Sequence, residues 1–149
     1  MSSLQLLDLS GNKITTIHDK AFKGLTSLQT LILRENQLEI VDRFSESLGS
    51  LAVHLDISNN KIHSINEGAF SKLVKLRKLS LHDNKLTSLH RRTFVGLENL
   101  RELEVYSNTI VSIEEGAMLP LKELKKLNAW GNELTAVNQC MFNFLAFEP

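Results

Sequence analysis

A second cysteine is missing from this sequence. With Cys140 alone, no internal disulfide can form, and the redox compartment stays undecided. Charge of one sign is missing too: 17 basic residues balance 17 acidic ones. That removes the electrostatic footprint of a nucleic-acid binder or of a polybasic membrane-surface binder. No apolar run approaches the roughly 20 residues that cross a bilayer, so no membrane insertion by this segment is expected. The start, "MSSLQLLDLSGNK", lacks the basic residues and unbroken apolar stretch of a secretory signal. No Asn-x-Ser/Thr acceptor occurs, which counts against an extracellular home. Aromatics are sparse, with one tyrosine and one tryptophan. What remains is 42% hydrophobic and 23% charged, the balance of a soluble globular domain with a core.

Reaction chemistry is missing as well. There is no phosphate-cradling glycine loop and no nucleophile elbow. Of the five histidines, His18 and His90 share a loop offset three repeats apart, and His63 holds another loop position. His54 and His82 fall on strands at different offsets. No Cys/His group has metal-ligand spacing. The expectation is a protein that is not an enzyme and has no metal and no cofactor.

A repeat fills the chain instead. Asn12, Asn36, Asn60, Asn84, Asn108 and Asn132 recur at intervals of 24 residues. Five apolar columns keep the same register. The three before the asparagine begin at Leu4, Leu7 and Leu9, and the two after it at Ile14 and Ile17. The segment L-x-x-L-x-L ends in apolar–polar alternation, which predicts a short strand with one buried face. Such a strand cannot bury its leucines alone. Parallel stacking buries a continuous core, and six units exceed the minimum of about three. Each asparagine sits where the strand turns away, where its amide can satisfy unpaired backbone groups. Phe22, Phe70, Phe94, Met118 and Phe142 share one offset, and Leu25, Leu73, Leu97, Leu121 and Leu145 another. These are expected to close the outer side of the core. Repeat two departs, with Glu46 and Gly49 in those columns. Phe44, Leu48 and Leu51 are expected to supply its packing along an altered path.

The pattern L-x-x-L-x-L-x-x-N-x-L, completed by an outer phenylalanine and two leucines, resembles the leucine-rich repeat family. It is closest to the 24-residue class of animal extracellular proteins: Toll-type receptors, Slit-like guidance proteins, small matrix proteoglycans and secreted insect immune proteins. The resemblance implies an α/β fold, a right-handed curved solenoid. Parallel strands would line its concave face, and irregular or short helical segments its convex face. Residues 1–149 read as one domain of about six repeats. Met1 falls in an apolar column of the outer segment, and "NFLAF" ends inside another. Neither end matches a cysteine-rich cap. The expectation is a piece of a longer array, with uncapped ends open to self-association. Cys140 lies in the outer loop and reads as a free thiol.

Between the leucines, side chains alternate outward in columns. One runs Leu6, Thr30, His54, Lys78, Glu102, Lys126, its last three alternating in sign. The next runs Asp8, Ile32, Asp56, Ser80, Glu104, Asn128, and the third Ser10, Arg34, Ser58, His82, Tyr106, Trp130. His82, Tyr106 and Trp130 thus form an aromatic line over three strands, flanked by polar groups. Rigid rings with polar tips in such a rim have the composition of an interaction hot spot. The candidate binding residues are His82, Glu104, Tyr106, Lys126, Asn128 and Trp130. Two other readings stand beside partner contact: mutual support by stacking, and contact of Trp130 with a following repeat. The expected function is recognition of a protein or of a microbial or glycan ligand on the concave face. The setting would be an extracellular receptor or a secreted immune protein. The alternative is a structural, adhesion or intracellular scaffold role.

Overall fold

A computed structural model describes residues 3–42, 48 and 52–142. Six three-residue strands form one parallel sheet: β1 (Leu6–Asp8), β2 (Thr30–Ile32), β4 (His54–Asp56), β6 (Lys78–Ser80), β8 (Glu102–Glu104) and β10 (Lys126–Asn128). They stack in the order in which they occur. Register steps by one whole repeat, pairing Leu31 with Leu55, Leu55 with Leu79 and Leu79 with Leu103. On the return side, β3 (Ile40–Val41) pairs with β5 (Ser64–Ile65) and β7 (Ser88–Leu89) with β9 (Ser112–Ile113), again in parallel. Among the described residues the connecting segments are mostly turns and extended chain, with a 3-10 segment at Gln139–Met141. This is the solenoid expected from the columns.

The core lies between sheet and return segments. Leu31, Leu33, Leu79, Leu81, Leu103 and Val105 are fully buried, as are Phe70 and Phe94 of the outer column. Burying one such side chain contributes about 1.5–3 kcal/mol, so the central repeats dominate stability. Towards the ends the same columns lose one neighbour. Leu7, Leu9, Leu127 and Ala129 are only partly buried. Val137 and Phe142, expected inside by their columns, are exposed at 74% and 41%. Met141, one residue earlier, takes the core position in that turn. Leu48 is buried in the core, as expected for repeat two. Met1, Phe44, Glu46, Gly49, Leu51 and Leu145 lie outside the described residues.

The asparagines form a ladder. Asn84 donates from Nδ2 to the carbonyls of Leu81 and His82 in its own repeat and of Ile57 in the preceding one. Its Oδ1 accepts from the Ile62 N–H of the preceding repeat. Asn36, Asn60, Asn108 and Asn132 repeat this arrangement. Asn12 reaches only the carbonyls of Leu9 and Ser10 in its own repeat. Just before each asparagine the backbone turns through the left-handed region. That position is Gly11, Glu35, Asn59, Asp83, Ser107 and Gly131, with φ between 50° and 65°. Glycine takes this conformation without strain. Each of the other four carries a cost that the ladder and core must outweigh.

Candidate functional site

The register of the sheet builds the aromatic line. Below the rings, Asp83 N–H donates to the Tyr106 carbonyl at 3.1 Å and Ser107 N–H to the Trp130 carbonyl at 3.0 Å. These rungs hold the three residues at strand spacing, about 4.8 Å, which is also a stacking distance for flat rings. His82 and Tyr106 stack at 4.3 Å between centroids and 7° between planes. Tyr106 and Trp130 stack at 5.0 Å and 9°. A 2.7 Å contact between His82 Nδ1 and Asp83 Oδ2 fixes the first ring. Trp130 is 62% exposed, whereas Tyr106, enclosed between two rings, is half-buried. Loss of water, then the Glu104 and Asp83 carboxylates, raise the Tyr106 pKa, so the phenol keeps its proton. The column therefore presents ring edges and polar tips outward, and the Trp130 indole is its most accessible ring.

Beside the rings lies a neutral charge cluster. Glu102 and Glu104 on β8 sit between Lys78 on β6 and Lys126 on β10. Lys78 Nζ lies 3.4 Å from Glu102 and 3.3 Å from Glu104. Lys126 Nζ contacts Glu102 and lies 3.8 Å from Glu104. Ser80 Oγ donates to Glu104 Oε2 at 2.8 Å. The Lys126 hydrogen bond, and after it the charge of Lys78, hold the Glu102 carboxyl below its usual range. The same contact raises the Lys126 pKa. These groups are screened by solvent, so the pairs add little to stability. Their larger effect is to fix the position of four charged heads beside the rings.

Of the six candidate residues, five meet in this patch: His82, Tyr106 and Trp130 in the stack, Glu104 and Lys126 in the cluster. Asn128 pairs with Glu104 through the backbone register of β10 and β8 and is half-buried beside them. Lys78, Glu102, Ser80 and Asp83 were not among the candidates, yet they bind the patch together. The alternating signs of Lys78, Glu102 and Lys126 were the available signal. His90, placed in a loop by its offset, contacts Glu114 at 2.9 Å and Ser88 at 3.0 Å on the return side. That hydrogen bond, followed by one from the Arg91 N–H, lowers the Glu114 pKa. Among the described residues no group of three or more His, Cys, Asp or Glu is placed to hold a metal. None of their helices is long and apolar enough to cross a membrane.

A stack of strand–turn units with an asparagine ladder and one open sheet face defines a solenoid repeat protein. The leucine rich repeat family model matches residues 1–38, 40–86 and 74–134, and the chain belongs to that family. Among known proteins it is similar to mouse (Mus musculus) opticin, 42% identical over 55 residues, which is 37% of this chain and 17% of opticin. It is also similar to Drosophila melanogaster chaoptin, 42% identical over 40 residues, which is 27% of this chain and 3% of chaoptin. Among solved structures, the Drosophila Toll–Spatzle complex matches with a TM-score of 0.79 and 27% identity, over 87% of this chain and 17% of that one. The TLR13–ssRNA13 complex matches in fold with a TM-score of 0.76 and 24% identity, over 97% of this chain and 24% of that one. The chain thus spans a quarter or less of each of these relatives.

Proposed function

We propose that this chain is a recognition segment of an extracellular or cell-surface leucine-rich repeat protein, and that it binds a protein partner on the open face of its sheet. The carrying observation is the stacked His82–Tyr106–Trp130 column beside the neutral Lys78–Glu102–Glu104–Lys126 cluster. Stacked rings offer edges and polar tips, which suit side chains of a partner protein. A flat sugar would need open ring faces, and the facing surfaces of the three rings are taken up by one another. Cations on this face are paired with carboxylates, which makes nucleic acid the less supported ligand here. The likeness to Toll, whose structure is a complex with Spatzle, supports a binding scaffold of receptor type.

The test compares three baits in extracellular fluid: the unaltered chain, a Tyr106→Ala/Trp130→Ala variant, and an Arg92→Ala variant altered on the return side. A partner retained by the first and third baits and lost by the second supports the reading. Equal retention by all three removes the aromatic column from recognition. It would leave the structural or scaffold role as the better reading.

A further inference from the structure

The starts of three adjacent strands carry a second feature, at the opposite end from the rings. The residue just before β6, β8 and β10 is Arg77, Arg101 and Lys125. Backbone bonds lock these three rung to rung: Arg101 N–H to the Arg77 carbonyl at 2.8 Å, and Lys125 N–H to the Arg101 carbonyl at 2.9 Å. A further bond of 2.8 Å joins Arg77 N–H to the Val53 carbonyl. All three side chains are exposed. Arg77 and Arg101, with Lys75, Asn99, Gln29 and Val53, line a groove of about 460 Å³ that contains no carboxylate. None of Lys75, Arg77, Arg101 and Lys125 makes an ion pair with a described residue. Elsewhere Lys78 and Lys126 are held by glutamates, Arg34 contacts Glu35 and Arg92 contacts Glu67. Glu98 and Glu123 are exposed on the connecting segments of this edge and pair with none of the four. Three exposed cations that pair with no described carboxylate thus lie on adjacent rungs of one edge.

From this edge we infer a second binding surface, for a linear sulfated glycan. Cations repeating at about 4.8 Å along one edge of the sheet match a ligand whose negative charges also repeat along a line. Two of the three rungs are arginines, whose planar guanidinium takes two oxygens of a sulfate at once. Single-stranded nucleic acid fits less well, because its usual platform is a row of aromatic rings interleaved with the cations. Here the exposed rings of the column lie at the far end of the strands.

The probe is a heparin oligosaccharide of defined length, titrated against the 149-residue chain at several salt concentrations. Arg77→Ala/Arg101→Ala/Lys125→Ala should weaken binding at least about tenfold. It should also flatten the dependence of log affinity on log salt by roughly 2, because fewer counterions are released. Lys13→Ala/Lys61→Ala/Lys85→Ala removes equal charge just beyond the asparagines and should leave affinity within about twofold. Far-UV circular dichroism checks that both variants fold. No binding at low salt, equal losses in the two triple variants, or tighter binding of a single-stranded RNA of equal charge would each overturn the inference. Trp130→Ala should leave glycan affinity unchanged, which separates this edge from the protein-binding face.

Discussion

Replacing Asn84 by alanine should reveal what the asparagine ladder contributes. The side chain is buried, and four contacts disappear with it. The carbonyls do not all become orphans. Ile57 O still accepts from Asn60, Leu81 O from Asn108, and His82 O from the Asn59 N–H. The group left without a partner is the N–H of Ile62, which is completely buried. An unsatisfied buried donor costs about 1–3 kcal/mol, and the lost shared bonds add about 1 more. The total is about 2–4 kcal/mol. At roughly 2–4 °C per kcal/mol for a chain of this size, the unfolding midpoint should fall by about 10 °C. Asn12→Ala is the internal control. Asn12 is exposed, bonds only within its own repeat and accepts no amide from a preceding one, so about 0.5 kcal/mol is expected. Asn84→Asp keeps the acceptor for Ile62 but turns a carboxylate towards three carbonyls, and should be no milder than alanine. Thermal and urea unfolding of the three variants decide the matter. Equal losses for Asn84→Ala and Asn12→Ala would refute inter-repeat locking as the source of the ladder's stability.

Three further outcomes follow from the same geometry. Gly96 has φ +94°, and a Cβ there would collide with the Ser71 carbonyl of the preceding repeat, so Gly96→Ala should cost about 1–3 kcal/mol in denaturant melts. Glu102 is held below its usual pKa in the fold, so its contribution is present above the ordinary carboxylate pKa of about 4.3 and is lost as pH falls through the folded value. Glu102→Gln should therefore flatten the acid limb of a stability–pH curve, and an unchanged limb would count against the Lys126 contact. Tyr106 is the only tyrosine, so phenolate absorbance reports it alone. Its midpoint should lie above that of free tyrosine and fall back in Trp130→Ala, where water regains one face of the ring.

The five apolar columns and the asparagine column were legible because stacking demands the same residue at the same height in every turn. Strand order, register and the buried face follow from that alone. The left-handed turn before each asparagine was not legible. Glu35, Asn59, Asp83 and Ser107 occupy it with ordinary side chains, and glycine marks it only at Gly11 and Gly131. Val137 and Phe142 misled for a related reason: a column assignment assumes neighbours on both sides, and these residues lie in the last described turn. At the candidate site, period-two alternation placed His82, Tyr106 and Trp130 on one face. Face-to-face stacking, and the closure of Glu104 by Ser80 and Lys78, depend on rotamers and distances that spacing does not carry. That Arg77, Arg101 and Lys125 pair with no described carboxylate is likewise a statement about neighbours in space.

Trp130→Ala, measured for partner affinity and for unfolding on the same protein samples, tests the recognition reading most directly. The partner is the one retained by the unaltered bait and lost by the Tyr106→Ala/Trp130→Ala bait. Because the indole is 62% exposed and stacks on Tyr106, its removal should cost the fold only about 0.5–1.5 kcal/mol of stacking. At a binding hot spot the same change should cost more than about 2 kcal/mol, roughly a thirtyfold loss of affinity. A thirtyfold loss of affinity with a midpoint lowered by at most about 1–6 °C is the expected result. Unchanged affinity would assign the ring to the scaffold and contradict recognition through this face.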